Sequence, residues 1–512
     1  MVAAGIFLSR IAGLVRQRIF AHYFATSDAA DAFAAGFRIP NLLQNLFGEG
    51  ALSASFIPVY AGLRARGDHE EAEKVAGAVA GLLGLVVALL VLVGVSAAPL
   101  LVDLIAPGFE GEKRNLTVRL VRILFPGAGL LVLSAWCLGI LNSHRRFFLS
   151  YAAPIIWNAA IITALLVFGP RSSLAQLAEW AAWGSVLGSA LQIAVQLPVV
   201  LQVVARLRIS FSARSAQVRN VVVNFVPAFL SRGVVQISAY VDEILASLLP
   251  SGAVAAMGYA QTLYTLPVSL FGMAVSAAEL PAMSSAVGSE ETVALYLRDR
   301  LNRGLRQIAF FVVPSAMAFA ALGHVIASAL YQSGRFSSQD ADYVWGILAG
   351  SAVGLLASTL GRLYASTFYA LRDTRTPLRY ALLRVALTIG LGYLFAFHIP
   401  GLLGLAARWG AAGLTASAGI AGWVEFVLLR RSLNHRLGPT GLNAGFVVRL
   451  WGAAALAAAG SWGIYLLVPV VQPVARAVLV LGVYGLVYFI VTLALRIPQA
   501  AALAGRFVRR GR

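Results

Sequence analysis

The stretch Ala76–Ile105 reads AGAVAGLLGLVVALLVLVGVSAAPLLVDLI, and Asp103 is its only charged residue. A helix needs about 20 apolar residues to cross the roughly 30 Å hydrocarbon core of a bilayer, so this stretch is long enough to span a membrane. Apolar runs of about 18 or more residues recur along the whole chain. We therefore predict an all-α polytopic membrane protein.

The composition supports this class. Hydrophobic residues make up 59% of the 512 positions and charged residues 12%, which is outside the usual balance of a soluble domain. The net charge of +19 would suit nucleic acid, but the basic residues concentrate in every second loop between the apolar runs. Basic loops mark the cytoplasmic side of a membrane. We therefore expect both termini in the cytoplasm and no nucleic-acid partner.

Residue types that bind metals or nucleotides are sparse. Cys137 is the single cysteine and lies in an apolar run, and the six histidines show no ligand spacing. The sequence contains no HExxH motif and no glycine-rich phosphate loop. It therefore predicts no metal site and no cofactor.

Division of the chain at its polar loops predicts fourteen transmembrane helices, an even number that agrees with termini on the same side. The first seven are Val2–Phe24, Ala29–Leu63, Ala76–Ile105, Val118–Leu141, Tyr151–Phe168, Leu174–Val204 and Val218–Leu249. The other seven are Ala253–Met283, Ile308–Leu330, Tyr343–Ala370, Leu378–Phe397, Gly410–Leu429, Phe446–Val468 and Val474–Leu495.

An internal repeat indicates how these helices are grouped. The segment LNSHRRFFLSY at Leu141–Tyr151 resembles LRDTRTPLRY at Leu371–Tyr380. The repeat predicts two six-helix lobes, residues 1–210 and 211–437, around a central cavity, followed by two helices and a basic cytoplasmic tail at 438–512. Chance similarity between apolar helices is the alternative explanation.

The first two predicted helices carry charges at bilayer depth, where an ionised side chain costs about 2.5 to 3.5 kcal/mol on insertion scales. Asp31, Arg38 and Asn45 follow one another at steps of seven, so they share one face of a helix. Such a face requires water or partners. The polar residues of the two helices are Arg10, Arg16, Arg18, Asp31, Arg38, Asn41, Gln44, Asn45 and Glu49.

The paired arginines favour an anionic ligand. A guanidinium offers a planar fork of donors that matches phosphate oxygens, so Arg10 and Arg16 suit a diphosphate. The two side chains reach one cavity most easily if helix 1 bends, and Pro40 is expected to kink helix 2. The alternative is that these arginines pair with Asp31 and Glu49 or extend to the nearer membrane interface.

The second predicted lobe has a weaker polar face, and small polar residues often serve only to join helices. Its members, at helical spacing, are Thr262, Thr265, Ser269, Ser276 and Glu279. Arg232, Asp242 and Arg384 are further embedded ions. Asp242 would hold a coupling cation or pair with Arg384, and the ion pair is the favoured interpretation.

Several motifs resemble those of the MurJ/MviN family, and the resemblance covers essentially the whole chain. The most specific is DAFAAGFRIPNLLQNLFGEGALSASFIPVY at Asp31–Tyr60, preceded by SRIAGLVR at Ser9–Arg16. Weaker matches are YQSGRF at Tyr331–Phe336 and RDTRTP at Arg372–Pro377.

The resemblance implies a transporter rather than an enzyme. Members belong to the multidrug/oligosaccharidyl-lipid/polysaccharide exporter superfamily and move lipid II, the undecaprenyl-diphosphate-linked peptidoglycan precursor, from the cytoplasmic to the periplasmic leaflet of the bacterial inner membrane by alternating access. The implied partners are lipid II or a similar anionic lipid-linked sugar, membrane lipids and a cell-wall synthesis complex.

The resemblance also assigns binding residues, because family members place basic residues of helices 1, 2 and 8 in the central cavity. Arg10, Arg16, Asp31 and Arg38 stand at matching positions. Gln17, Gln44 and Thr262 depart from the family by replacing an acid and two basic residues. Arg18 and Arg232 are candidates to compensate for the lost positive charge.

Three classes of alternative exist at this point: a transporter of another cargo, an enzyme and a scaffold protein. The cargo could be another polyprenyl-diphosphate-linked oligosaccharide, or the chain could be a cation-coupled exporter of the same superfamily. An enzyme acting on polyprenyl phosphates would need clustered carboxylates or a histidine constellation, and the sequence shows neither. A scaffold in a cell-wall complex is the third alternative.

Overall fold

The chain is helical throughout the part that the structure describes. This structure is a computed structural model that describes residues 2–204, 207–212, 215–285, 288–468 and 472–510. Inside these ranges the side chains of 2–7, 49–50, 147, 150–151, 227–228, 230–239 and 506–510 are not described. The described ranges contain no strand, and one isolated bridge joins Ser333 to Phe336. The predicted all-α class is confirmed.

The helices form two compact units, of which the first comprises Met1–Ala255 and Ser333–Phe336. Its helices are α1 Val2–Phe24, α2 Asp28–Phe47, α3 Glu49–Ala65, α4 His69–Ser96, α5 Ala98–Ile105, α6 Gly111–Ser143, α7 Phe147–Phe168, α8 Leu174–Val203 and α9 Ala216–Ser247. Helix α9 belongs to this unit because it packs on α2, α3, α4 and α5. The lobe boundary after residue 210 rests on the sequence repeat and stays a prediction.

The second unit comprises Ala256–Gln332 and Ser337–Arg512. The helices from α10 onward are α10 Ala253–Pro267, α11 Ala274–Ser284, α12 Glu290–Tyr331, α13 Ser338–Ala370, α14 Arg375–Tyr393, α15 Ile399–Leu402, α16 Gly410–Leu437, α17 Ala444–Leu467, α18 Pro473–Ala494 and α19 Pro498–Arg510. Two π-helical segments, Val268–Met273 and Leu394–His398, continue α10 and α14, and a short 3₁₀ turn, Ala407–Trp409, precedes α16.

Eleven helical segments of the described residues are long and apolar enough to cross a membrane. Together with the fold they make this a multi-pass membrane protein. All fourteen predicted segments coincide with helices, and the three that are not among the eleven are α1, α7 and α9. The total of fourteen spans therefore stays a prediction, and the observed helices are consistent with it.

The second predicted helix is divided in the structure. Helix α2 runs through Pro40 and ends at Gly48, whose backbone is extended with φ −76° and ψ −150°. A Cβ atom at Gly48 would lie 2.2 Å from the carbonyl oxygen of Gln44, so the turn into α3 requires glycine. The helix is thus interrupted at Gly48 rather than at the proline.

Small residues allow close packing in the first unit, where α8 packs on α6 and α7, and α1 packs on α7. A Cβ atom at Gly184 would lie 2.8 Å from the Cβ of Ala164, and one at Gly188 would lie 2.9 Å from the Cα of Trp157. Without these glycines α7 and α8 could not approach as closely. The packing of α1 on α7 then brings Arg16 to Trp157.

In the second unit, two tyrosines of α18 donate hydrogen bonds to backbone carbonyls near the proline in α12. Pro314 has no N–H, so the carbonyl of Phe310 loses its helical donor. The hydroxyl of Tyr488 on α18 donates to that carbonyl at 2.7 Å, and Tyr484 donates to the carbonyl of Pro314 at 2.7 Å. These bonds satisfy backbone groups that lipid could not satisfy.

Candidate functional site

Arg16 lies on an aromatic platform in the first unit. Its guanidinium carbon is 4.8 Å from the centre of the Trp157 ring on α7. The indole N–H of Trp157 donates to the hydroxyl of Ser185 on α8 at 3.2 Å, and the Phe37 ring of α2 lies 5.9 Å from the indole. Among the described side chains, no acid forms an ion pair with Arg16. A cation–π contact therefore holds this half-buried charge without neutralising it.

Arg38 pairs with an acid that the sequence interpretation did not name as its partner. Its guanidinium lies 2.6 Å from a carboxylate oxygen of Glu243 on α9, and the hydroxyl of Tyr240 donates to the Arg38 carbonyl at 3.0 Å. The Glu243 side chain is 1% exposed, whereas that of Arg38 is 42% exposed. The arginine thus remains accessible while its counter-ion is buried.

Asp31 is a junction between helices. Its side chain accepts a 2.6 Å hydrogen bond from the Lys113 ammonium and bonds of 2.7 and 2.8 Å from the backbone N–H groups of Gly252 and Ala255. An acid at this place satisfies donors at the first turn of α10 and complements the helix dipole. Lys113 also lies 3.0 Å from Asp28. Asp31 is 1% exposed, so its contacts are with the protein.

The remaining predicted residues of α1 and α2 are solvent-accessible to different degrees. Arg10 is exposed, and Arg18 is half-buried. Asn41, Gln44 and Asn45 are half-buried, and their side chains make no hydrogen bond with another described residue. These amides therefore retain free donors and acceptors. The side chains of Glu49 and Arg232 lie outside the described residues.

The polar face predicted on α10 and α11 consists mainly of hydroxyls bonded to their own helix. Thr262 donates to the carbonyl of Gly258 at 3.0 Å, and Thr265 donates to that of Gln261 at 2.7 Å. Such bonds satisfy a hydroxyl without any ligand. Glu279 accepts from Arg300 of α12 at 2.7 Å.

Arg384 has an acidic partner within its own unit, and its pairing with Asp242 stays a prediction. The sequence interpretation paired it with Asp242, whereas the structure places its guanidinium 3.1 Å from Glu425. The physical reason is that α14 packs on α16, which carries Glu425. Asp242 is half-buried on α9, next to Glu243.

An apolar groove between α7 and α8 was not anticipated from the sequence. It has a volume of about 740 Å³, and its lining includes Ile156 of α7 and Leu191 of α8. Ala160 and Gly184 are among its small lining residues, and Trp183 and Leu187 are among the large ones. Hydropathy shows that such helices are apolar but not that a groove lies between them.

Comparison with known proteins identifies the family. The family model described as "Lipid II flippase MurJ" matches residues 20–485. The chain belongs to this family. The lipid II flippase MurJ of Burkholderia cenocepacia is 32% identical over 458 residues, which are 87% of this chain and 86% of the relative. A probable lipid II flippase MurJ of Rhizobium tropici is 32% identical over 437 residues, or 84% and 79% of the two chains.

Solved structures of this family and its superfamily share the fold. A lipid II flippase MurJ in an inward closed conformation matches with a TM-score of 0.79 at 24% identity, over 97% of this chain and 98% of that one. An inward-facing multidrug resistance MATE family transporter of the MOP superfamily matches with a TM-score of 0.65 at 18% identity, over 82% and 95%. The resemblance to the MurJ/MviN family is therefore confirmed, and the two solved structures share the fold of this chain.

Proposed function

We propose that this chain is a flippase that moves lipid II from the cytoplasmic to the periplasmic leaflet of the bacterial inner membrane by alternating access, with both termini in the cytoplasm. Membership of the MurJ family supports the class of cargo. The observation that carries the proposal is Arg16, a half-buried guanidinium held by Trp157 without an acidic partner among the described side chains. A cation kept in this state suits a ligand that brings its own negative charge.

The diphosphate of the lipid contacts Arg16 first in this proposal. Stacking uses the flat face of the guanidinium, so its in-plane N–H groups remain available to bind phosphate oxygens. Arg10 and Arg38, which are both accessible, add positive charge on α1 and α2. Asp31 acts by positioning α2 against Lys113 and the Gly252–Ala255 segment because it is buried and bonded to them.

The neutral polar groups contact the sugar part of the head group. The side-chain amides of Asn41, Gln44 and Asn45 form no hydrogen bond with another described residue. Amides can both donate hydrogen bonds to hydroxyls and accept them. Thr262 is half-buried, and its hydroxyl donates to the carbonyl of Gly258 on its own helix. The uncharged Gln44 and Thr262 are therefore assigned to head-group recognition rather than to charge neutralisation.

The prenyl chain occupies the apolar groove between α7 and α8. The groove is lined by α7 and α8, the same two helices that carry Trp157 and its hydrogen-bond partner Ser185, so these helices offer both the platform of Arg16 and a hydrocarbon-lined surface. The lipid tails of the bilayer are as apolar as this groove, so the groove positions the prenyl chain by packing against it rather than by a hydrophobic driving force.

The membrane potential provides a driving force for this direction. Moving one elementary charge across 100 mV corresponds to about 2.3 kcal/mol, so a doubly negative diphosphate that leaves a negative interior gains about 4.6 kcal/mol. The proposed step needs no covalent chemistry.

A cell-based assay tests the proposal. A host depleted of its own flippase is supplied with this chain, with Arg16→Ala or with Arg303→Ala, and lipid II exposed on the outer leaflet is measured. Arg303 is a matched control because it is exposed and pairs with Asp299 on α12. We expect exposure with the wild type and the control and its loss with Arg16→Ala at equal protein levels. Lack of exposure with the wild type, or exposure of a different lipid-linked sugar, would refute the proposal.

A further inference from the structure

The ion pair between Arg38 and Glu243 joins an accessible cation to a buried acid. The Glu243 side chain is 1% exposed, and Arg38, at 2.6 Å, is its only ion-pair partner among the described side chains. The Arg38 side chain is 42% exposed, so it can be reached by an anion from outside the protein. Glu243 and a phosphate would thus compete for the same guanidinium group of Arg38.

If a phosphate bound Arg38 and broke its ion pair with Glu243, the acid would remain as an unpaired buried carboxylate. Removing one partner of a buried ion pair costs about 3–5 kcal/mol because the other charge remains desolvated. A carboxyl group avoids this penalty by taking up a proton and becoming neutral. Binding of the phosphate and protonation of the acid are then linked, and each favours the other.

We propose that a diphosphate binding at Arg38 displaces Glu243, which takes up one proton in the same step. This inference rests on the proposed function and adds the uptake of a proton to its binding step. The proton bonds to a carboxylate oxygen of Glu243, and the phosphate retains its negative charge. The head group therefore binds as an anion together with one proton.

The surroundings of Glu243 single it out as the group that takes up the proton. Of the charged residues near it, Asp31 keeps Lys113 and two backbone N–H donors, and Asp242 on α9 is half-buried rather than buried. The charges of Asp31, Asp242 and Arg38 act on Glu243. A negative charge on either neighbouring acid favours the neutral form of Glu243 once Arg38 is taken.

The other helices packed on α9 are α3, α4 and α5, and most of their described charged groups are engaged elsewhere. Arg64 of α3 contacts His144, and Asp103 of α5 pairs with Arg114 at 2.6 Å. On α4, Lys74 pairs with Glu70 at 2.8 Å, and Glu71 accepts from Ser215 at 2.7 Å. The remaining charged residues are Glu49 of α3, outside the described side chains, and His69 and Glu73 of α4.

The inference predicts a pH dependence of binding with a defined sign. The ligand-bound protein carries one proton more than the free protein, so affinity rises as the pH falls, up to tenfold per pH unit. In Glu243→Gln the side chain is neutral at every pH and cannot compete for Arg38 as an anion. This variant should bind at pH 8 at least tenfold more tightly than the wild type, with no pH dependence.

The experiment uses the full-length protein in nanodiscs and undecaprenyl-diphospho-N-acetylglucosamine as the probe. The diphosphate of this probe is a diester, which does not titrate between pH 5 and 8. Calorimetry in two buffers of different protonation enthalpy gives the number of protons taken up per probe bound. We expect about one for the wild type and for the control Glu425→Gln, whose acid pairs with Arg384, and about zero for Glu243→Gln.

The outcomes separate this inference from the function on which it rests. Binding to the wild type without proton uptake would overturn the coupling alone, and this measurement does not depend on any variant being folded. Equal proton uptake by the wild type and Glu243→Gln would overturn the assignment to Glu243. Failure of the wild type to bind the probe at any pH would overturn the proposed function as well.

Discussion

Replacement of Asp31 by asparagine tests the junction between α2, α6 and α10. The change keeps the size of the side chain but removes the charge that faces Lys113 at 2.6 Å. The asparagine oxygen can still accept from Gly252 or Ala255, but its NH₂ group would face the other N–H donor. The variant therefore loses an ion pair and one backbone hydrogen bond.

The structure sets the size of this effect. Breaking a buried ion pair by removing one partner costs about 3–5 kcal/mol. Lys113 keeps Asp28 at 3.0 Å, and the Asp28 side chain is 63% exposed, so the lysine retains a weaker partner. We therefore expect a loss of about 3 kcal/mol, which corresponds to a fall of roughly 3 °C in the unfolding midpoint of a chain of this length.

Thermal unfolding of the purified protein in detergent measures this shift. The control is Asp103→Asn, which breaks a solvent-exposed pair with Arg114 and should change the midpoint much less. Equal midpoints for Asp31→Asn and the wild type would refute the assignment of Asp31 as a buried junction.

Three further predictions concern packing, pH and orientation. Gly354→Ala should lower the unfolding midpoint, at a cost of about 1–3 kcal/mol, because its Cβ would lie 2.3 Å from the Cα of Gly419. The control Gly361→Ala lies on the same helix with open space around it and should leave the midpoint unchanged. Asp373 lies between α13 and α14, where hydrogen bonds from the backbone N–H and the hydroxyl of Thr376 and an ion pair with Arg436 lower its pKa to about 2. The wild type should therefore melt above Asp373→Asn by a constant margin from pH 7 to 5, and the margin should shrink as the pH falls from about 4 to 2, because the stabilisation is lost as the folded-state carboxylate is protonated. A reporter fused after Arg512 should be active only in the cytoplasm; periplasmic activity would contradict the predicted orientation.

The sequence predicted the helices well because hydropathy and loop composition mark them directly. The predicted first helix, Val2–Phe24, has the bounds of α1 in the structure. The break at Gly48 and the π-helical segments Val268–Met273 and Leu394–His398 were not predicted. They depend on local backbone geometry and hydrogen-bond register, which hydropathy does not encode.

The candidate site was predicted only in part. The charged residues of α1 and α2 were recognisable because ions are costly in a membrane. Their partners were not, because Trp157, Lys113 and Glu243 lie on other helices and are distant in the sequence. Only the packing of α1 on α7, and of α6 and α9 on α2, brings these groups together.

The central claim is that Arg16 awaits a phosphate-bearing lipid, and direct binding tests it. The affinity of the purified full-length chain for lipid II is measured in nanodiscs for the wild type, Arg16→Ala and Arg303→Ala. A hydrogen bond to a charged group contributes about 1.5–3 kcal/mol, so Arg16→Ala should bind about 10- to 150-fold more weakly, while Arg303→Ala binds like the wild type. Unchanged affinity in a folded Arg16→Ala variant would contradict the account.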